Sequence, residues 1–123
     1  MSDLGKIAED LAAEHYRKQG YKILERNFFP RFGKRIGELD IICLKGQTLV
    51  FVEVKARSSN RFGSGLEAVD YHKQQKLVKT AKLYIQLNPQ YAKHTPRIDV
   101  ASVDIDSKAE PVIILTNAIE DLS

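Results

Sequence analysis

Three residues of this chain have the types and spacing for phosphodiester chemistry: Asp40, Glu53 and Lys55, in the pattern D-x12-E-x-K. Two carboxylates brought together repel and need a compensating cation. Mg²⁺, or Mn²⁺ in its place, suits them, because it prefers hard oxygen ligands and keeps several waters. Such an ion polarises a phosphodiester and lowers the pKa of a water beside it. An ammonium two residues from the second carboxylate can hold that water or stabilise charge building on the phosphate.

The site exists only if the chain brings these side chains to one place. Side chains on a strand alternate faces, so Glu53 and Lys55 point the same way. Asp40 joins them only in certain registers of the hairpin formed by Gly37 to Leu44 and Leu49 to Lys55. If Leu44 pairs with Leu49 across a four-residue connection, Asp40 lies directly opposite Glu53. A two-residue loop leaves it on the same face but one step diagonal, and a three-residue loop sends it to the opposite face. In the first register Glu38 faces Lys55 and offers it an ordinary cross-strand ion pair. Both runs are otherwise apolar on both faces, which predicts central strands covered on both sides. Carboxylates within such strands are costly unless paired or metal-bound.

The supporting elements follow from periodicity. Leu4, Ile7, Ala8, Leu11 and Ala12 repeat at helical spacing, with Ser2 or Asp3 as a cap and Gly20 as a stop. A strand runs from Tyr21 to Arg26, then a loop broken by Pro30 and Gly33. After the two central strands comes a loop from Ala56 to Gly65. A helix runs from about Asp70 to Leu87 and ends at Asn88-Pro89. Strands from Ile98 to Val103 and Val112 to Leu115 close the chain. The order α-β-β-β-α-β-β predicts an α/β fold with a mixed sheet.

With 123 residues, 43% hydrophobic and 28% charged, the chain reads as a single domain over residues 1–123 with one real core. No stretch approaches the ~20 apolar residues that span a bilayer, and the start of the chain does not read as a secretion signal. The single cysteine, Cys43, lies in an apolar run and reads as a packing residue. These features give a cytoplasmic expectation and no membrane partner. Residues 1–98 hold 18 Lys and Arg against 10 Asp and Glu, whereas residues 99–123 hold 1 against 6. A basic body with an acidic end fits a polyanion on one face. Arg31, Lys34 and Arg35, interleaved with Phe28, Phe29 and Phe32, are candidates to grip phosphates. So are Arg57 and Arg61 in the next loop. Lys73, Lys76, Lys79 and Lys82 wind along the second helix, with Gln74 and Lys76 near its start. His15, His72 and His94 lack metal-ligand spacing, and Asp99, two residues after Arg97, reads as structural.

The pattern GELDIICLKGQTLVFVEVKAR resembles the PD-(D/E)xK nuclease superfamily. More narrowly it resembles the uncharacterised bacterial YraN family, whose fold is similar to archaeal Holliday junction resolvases and type II restriction endonucleases. Gly5-x-x-x-Glu9, Gly37-Glu38-Leu39-Asp40, Phe51-Val52-Glu53-Val54-Lys55, Lys73 to Lys76 and Arg97-Ile98-Asp99-Val100 fall where that family has them. Leu39 stands where the superfamily has proline. The resemblance implies a restriction-endonuclease-like mixed sheet flanked by helices. It implies that Asp40, Glu53 and Glu9 lie at a metal and that Lys55 is catalytic. The resulting expectation is a metal-dependent nuclease acting on DNA rather than RNA, structured or branched DNA included. The alternative is a nucleic-acid-binding protein without robust cleavage. Small nucleases that cut both strands often pair as dimers, so a homodimer is also expected.

Overall fold

The computed structural model describes residues 3–30, 37–57, 70–107 and 109–119. The readings of Ser2, Arg31, Phe32, Gly33, Lys34, Arg35, Arg61 and Gly65 lie outside the described residues. Helix α1 (Asp3–Lys18) is followed by strands β1 (Lys22–Phe28), β2 (Leu39–Lys45) and β3 (Thr48–Arg57). Helix α2 (Tyr71–Leu87), a 3-10 turn at Pro89–Tyr91, and strands β4 (Thr95–Asp104) and β5 (Val112–Ile119) complete the order, which is the one the periodicity predicts. No helix among the described residues is long and apolar enough to cross a membrane.

The five strands lie side by side in chain order. β3 and β4 are parallel and every other pair is antiparallel. A parallel pair needs a crossover, and α2 supplies it. Along β3, Leu49 and Phe51 pack toward α2, with Leu77, Ala81 and Tyr84. Val50 and Val52 pack toward α1, with Ala8, Ala12 and Tyr16. The central strands are therefore covered on both faces, as their apolar runs require. Cys43 is buried in the α1-side core, as expected, and burial pushes its thiol up to about 12.

α1 buries Ala8 and Ala12 and packs Leu11 as its apolar stripe predicts, but it is rotated so that the other end of the stripe faces out. Leu4 and Ile7 are 49% and 47% exposed, while Ala8, Glu9, Ala12, Ala13 and Tyr16 are buried. The three alanines let the helix backbone approach the sheet closely. This rotation turns Glu9 inward and lets the Tyr16 hydroxyl reach Asp99. α2 begins and ends where expected. The Asp70 carboxylate caps it by accepting from the Lys73 N–H at 2.8 Å.

The hairpin between β2 and β3 has the register the site demands. Leu44 pairs with Leu49, and Lys45 with Thr48, so the turn is Gly46-Gln47 alone, and these two residues keep the direct register where a two-residue loop was expected to set Asp40 one step diagonal. Gly46 takes φ 59°, a left-handed conformation that glycine adopts without strain. One step beyond the Ile41–Val52 pair, Asp40 comes opposite Glu53.

Strict alternation breaks at Asp40. Leu39 belongs to the core under α2, but Ile41 belongs to the core under α1. The cause is visible in β1, where Arg26 pairs with Ile41 and Phe28 with Leu39. Asn27, between them and opposite Asp40, has φ 55°. This left-handed residue twists the strand pair locally. Asp40 there feels charges from both sides, Glu53 on β3 and Glu9 on α1.

The chain approaching β2 is clamped as well. A Cβ on Gly37 would lie 2.8 Å from Thr80 Oγ1 and 3.3 Å from the Lys76 carbonyl oxygen. Gly37→Ala should therefore cost about 1–2 kcal/mol, read from urea denaturation. Adding Thr80→Ala should recover part of that loss, because it removes the nearest clash.

Candidate active site

β2, β3 and the first turn of α2 converge on one carboxylate pair. The Val54 N–H donates to Asp40 Oδ2 at 2.7 Å, which ties the Asp40 side chain across the hairpin. The Glu53 side chain acts on the Asp40 carboxyl from across the hairpin. Burial, then the Glu53 charge, raise Asp40 to about 8, although the Val54 bond opposes the shift. Glu9 adds a smaller push in the same direction. A divalent cation held by the pair would oppose that shift and favour the ionised Asp40.

Glu53, only 4% exposed, receives two ammonium groups. Lys55 Nζ lies 3.4 Å from its Oε2, and Lys73 Nζ lies 3.2 Å from the same oxygen. Lys55 is thus paired within its own strand, to Glu53. Lys73, expected on a nucleic-acid-binding face, extends from the start of α2 into the carboxylate centre. Nothing in its spacing from Glu53 in the chain signals this contact, which depends on the crossover of α2.

Glu9 is buried on α1 and bonded to Arg26, whose Nη2 lies 3.3 Å from Glu9 Oε1 and 2.8 Å from Asp10 Oδ1. Arg26 was not singled out by sequence pattern, because a lone arginine on an edge strand carries no motif. Among the described residues, no three His, Cys, Asp or Glu side chains converge closely enough to hold a metal ion by themselves. The acidic donors that meet directly are Asp40 and Glu53. Of the other candidates, Lys76, Lys79 and Lys82 are exposed on α2, and Gln74 and Arg57 are half-buried.

Asp99 serves a separate, structural network, as expected. It is fully buried and accepts four bonds. Tyr16 Oη donates at 2.7 Å, Arg97 donates from Nε at 2.9 Å and Nη2 at 3.0 Å, and the Asn117 N–H donates at 2.9 Å. Burial and the Asp99 charge raise the Tyr16 hydroxyl far above its ordinary value. Burial works against the Arg97 charge, but its bonds to Asp99 and Tyr21 outweigh that and raise it.

Fold and site together define an α/β protein with a mixed five-stranded sheet and a lysine-capped carboxylate pair on its central hairpin. Residues 8–103 match the model of the uncharacterised protein family UPF0102. The chain belongs to that family, which is the YraN group its motifs resemble. It is 42% identical over 116 residues to a UPF0102 protein of Stutzerimonas stutzeri, covering 94% of this chain and 93% of that one. A UPF0102 protein of Syntrophomonas wolfei is 45% identical over 118 residues, covering 94% and 96%. One from Caldanaerobacter subterraneus is 47% identical over 100 residues, covering 81% and 78%.

Proposed function

We propose that the protein is a metal-dependent nuclease that hydrolyses phosphodiester bonds of DNA, structured or branched DNA included. The observation that carries this reading is the meeting of Asp40 and Glu53 under two lysines on the central hairpin. The donor set fits Mg²⁺ or Mn²⁺. Both donors are carboxylate oxygens, and burial together with the Glu53 charge raises the Asp40 carboxyl, a cost that a bound cation would relieve. Two protein carboxylates, with the other positions left to water and substrate phosphate, is how Mg²⁺ is commonly held. When bound, the cation supplies Lewis-acid polarisation of the phosphoryl oxygen and acidifies water.

The chain's own residues have distinct parts in this reading. Asp40 must give up its proton to bind the cation, so metal loading releases a proton near neutral pH. The Val54 N–H keeps the Asp40 carboxylate aimed at Glu53. Lys55 faces the charge that builds on the phosphate. Glu9, held by Arg26, biases the site from the α1 side without leaving its partner. The exposed lysines of α2 meet the nucleic-acid backbone.

The direct test is purified protein with Mg²⁺ or Mn²⁺ on linear, nicked, single-stranded and four-way-junction DNA, with RNA in parallel. Cleavage should appear on DNA and be abolished in both Asp40→Ala and Glu53→Ala. Cleavage that persists in both variants excludes this site as its source. The double lysine cover on Glu53 favours one alternative, a nucleic-acid-binding protein without robust cleavage. That alternative predicts affinity that falls with salt and no turnover with any metal.

A further inference from the structure

Glu53 Oε2 is shared by two ammonium groups, one more than its single charge requires. The two lysines are held differently. Lys55 is on β3, in register with Ser102 of β4, and its side chain is 27% exposed. Lys73 reaches in from the first turn of α2, and its side chain is 43% exposed. A cation in a helix's first turn faces the positive end of the helix dipole, where it is disfavoured. The Asp70 carboxylate at the cap offsets part of this, and the turn itself holds no further acidic residue. Its backbone is fixed by the Asp70 cap, so only the flexible side chain needs to move. Glu53 is therefore the attraction that holds the Lys73 ammonium inward.

We propose that Lys73 is a resident counter-ion of the Asp40–Glu53 pair, displaced by the divalent cation and freed to bind a substrate phosphate. This rests on the metal-dependent reading above. A divalent ion placed on the Glu53 oxygen repels both ammonium groups at close range. The more exposed lysine, already opposed by its own helix dipole, is the one that leaves. Its neighbour one turn on, Lys76, is exposed, so the freed ammonium joins a cation already facing solvent. Metal loading then strengthens nucleic-acid binding through one side chain, and by linkage nucleic acid strengthens metal binding equally. Lys55 stays on Glu53 and keeps its place at the reacting phosphate.

The experiment is calorimetric titration of Mn²⁺ into the full-length protein and its Lys73→Met, Lys73→Gln and Lys55→Met variants, with melting curves to verify folding. Removing a competing ammonium should tighten Mn²⁺ binding roughly threefold to tenfold in both Lys73 variants. Fluorescence anisotropy with a DNA duplex supplies the second readout, in Ca²⁺ and in EDTA. The affinity lost on Lys73→Met should be larger in Ca²⁺ than in EDTA, because only the metal-loaded protein frees that ammonium. If the wild type binds Mn²⁺ and the Lys73 variants bind it equally or more weakly, Lys73 is not a displaced counter-ion. If neither the wild type nor any variant binds Mn²⁺, the metal-dependent reading fails along with it. Binding by the Lys73 variants alone supports the proposal in its extreme form, in which the lysine outcompetes the ion.

Discussion

Asp40→Asn should stabilise the metal-free protein at pH 8.5 by about 2–3 kcal/mol and leave it nearly unchanged at pH 4. The sign follows from the direction of the shift. In the folded protein Asp40 is raised to about 8 by burial and by Glu53. In the unfolded chain it titrates near ~3.9. Below pH 4 both states carry the proton, and the group has no effect on stability. Between roughly pH 4 and pH 8 the unfolded chain loses the proton while the folded protein keeps it. Wild-type stability therefore falls as pH rises through that window, and it levels off above the folded value. The full window would yield about 5–6 kcal/mol. Relaxation of the pair and partial hydration reduce this, hence the smaller figure. Asparagine can still accept from the Val54 N–H, so the tie across the hairpin survives. Urea denaturation in EDTA at pH 4, 6.5 and 8.5 checks the prediction. A wild-type stability that does not fall across this range, or a slope that Asp40→Asn leaves intact, would show that Asp40 does not carry that proton. Added Mn²⁺ should reverse the wild-type decline and leave the variant nearly unaffected, since the ion binds the folded state through Asp40.

Much of this site was legible in the chain itself. Register arithmetic around Lys45-Gly46-Gln47-Thr48 gives the Asp40–Glu53 meeting, and the structure keeps that register with a shorter turn. Period-2 alternation gives Glu53 and Lys55 a common direction. Three features were not legible. The left-handed Asn27 switches the faces of Leu39 and Ile41, and a strand pattern assumes that no such switch occurs. The inward face of α1 is chosen by close packing of alanines and by Asp99, a residue far along the chain. Hydrophobic periodicity favours Leu4 and Ile7 as well, because it weighs side-chain size and not helix-to-sheet distance. The Lys73 contact depends on where the crossover sets down the first turn of α2, which no local pattern encodes. The two arginine-rich segments differ again, because Arg31, Lys34, Arg35 and Arg61 lie outside the described residues.

Asp99 anchors the other half of α1 through the Tyr16 hydroxyl. Asp99→Ala should destabilise the protein by about 3–5 kcal/mol, because it breaks a buried charge pair and strands its partners. The Tyr16 hydroxyl and the Asn117 N–H lose their acceptor, and each buried orphan costs about 1–3 kcal/mol. Arg97 loses a two-pronged partner, although its side chain is 23% exposed and recovers part of that in water. Asp99→Asn keeps an acceptor for one or two of these donors and should cost about half as much. Tyr16→Phe removes one donor while Asp99 keeps three bonds, so about 1–2 kcal/mol is expected. Denaturant midpoints in the order wild type, Tyr16→Phe, Asp99→Asn, Asp99→Ala check the ranking. Equal losses in all three variants would contradict it. The same bonds also matter to the carboxylate pair. Tyr16 and Glu9 are seven residues apart on the buried face of α1, so the Asp99 anchor sets the rotation that keeps Glu9 inward. Loosening that anchor should weaken Mn²⁺ binding much less than Asp40→Asn does, because Glu9 acts on Asp40 only through its charge.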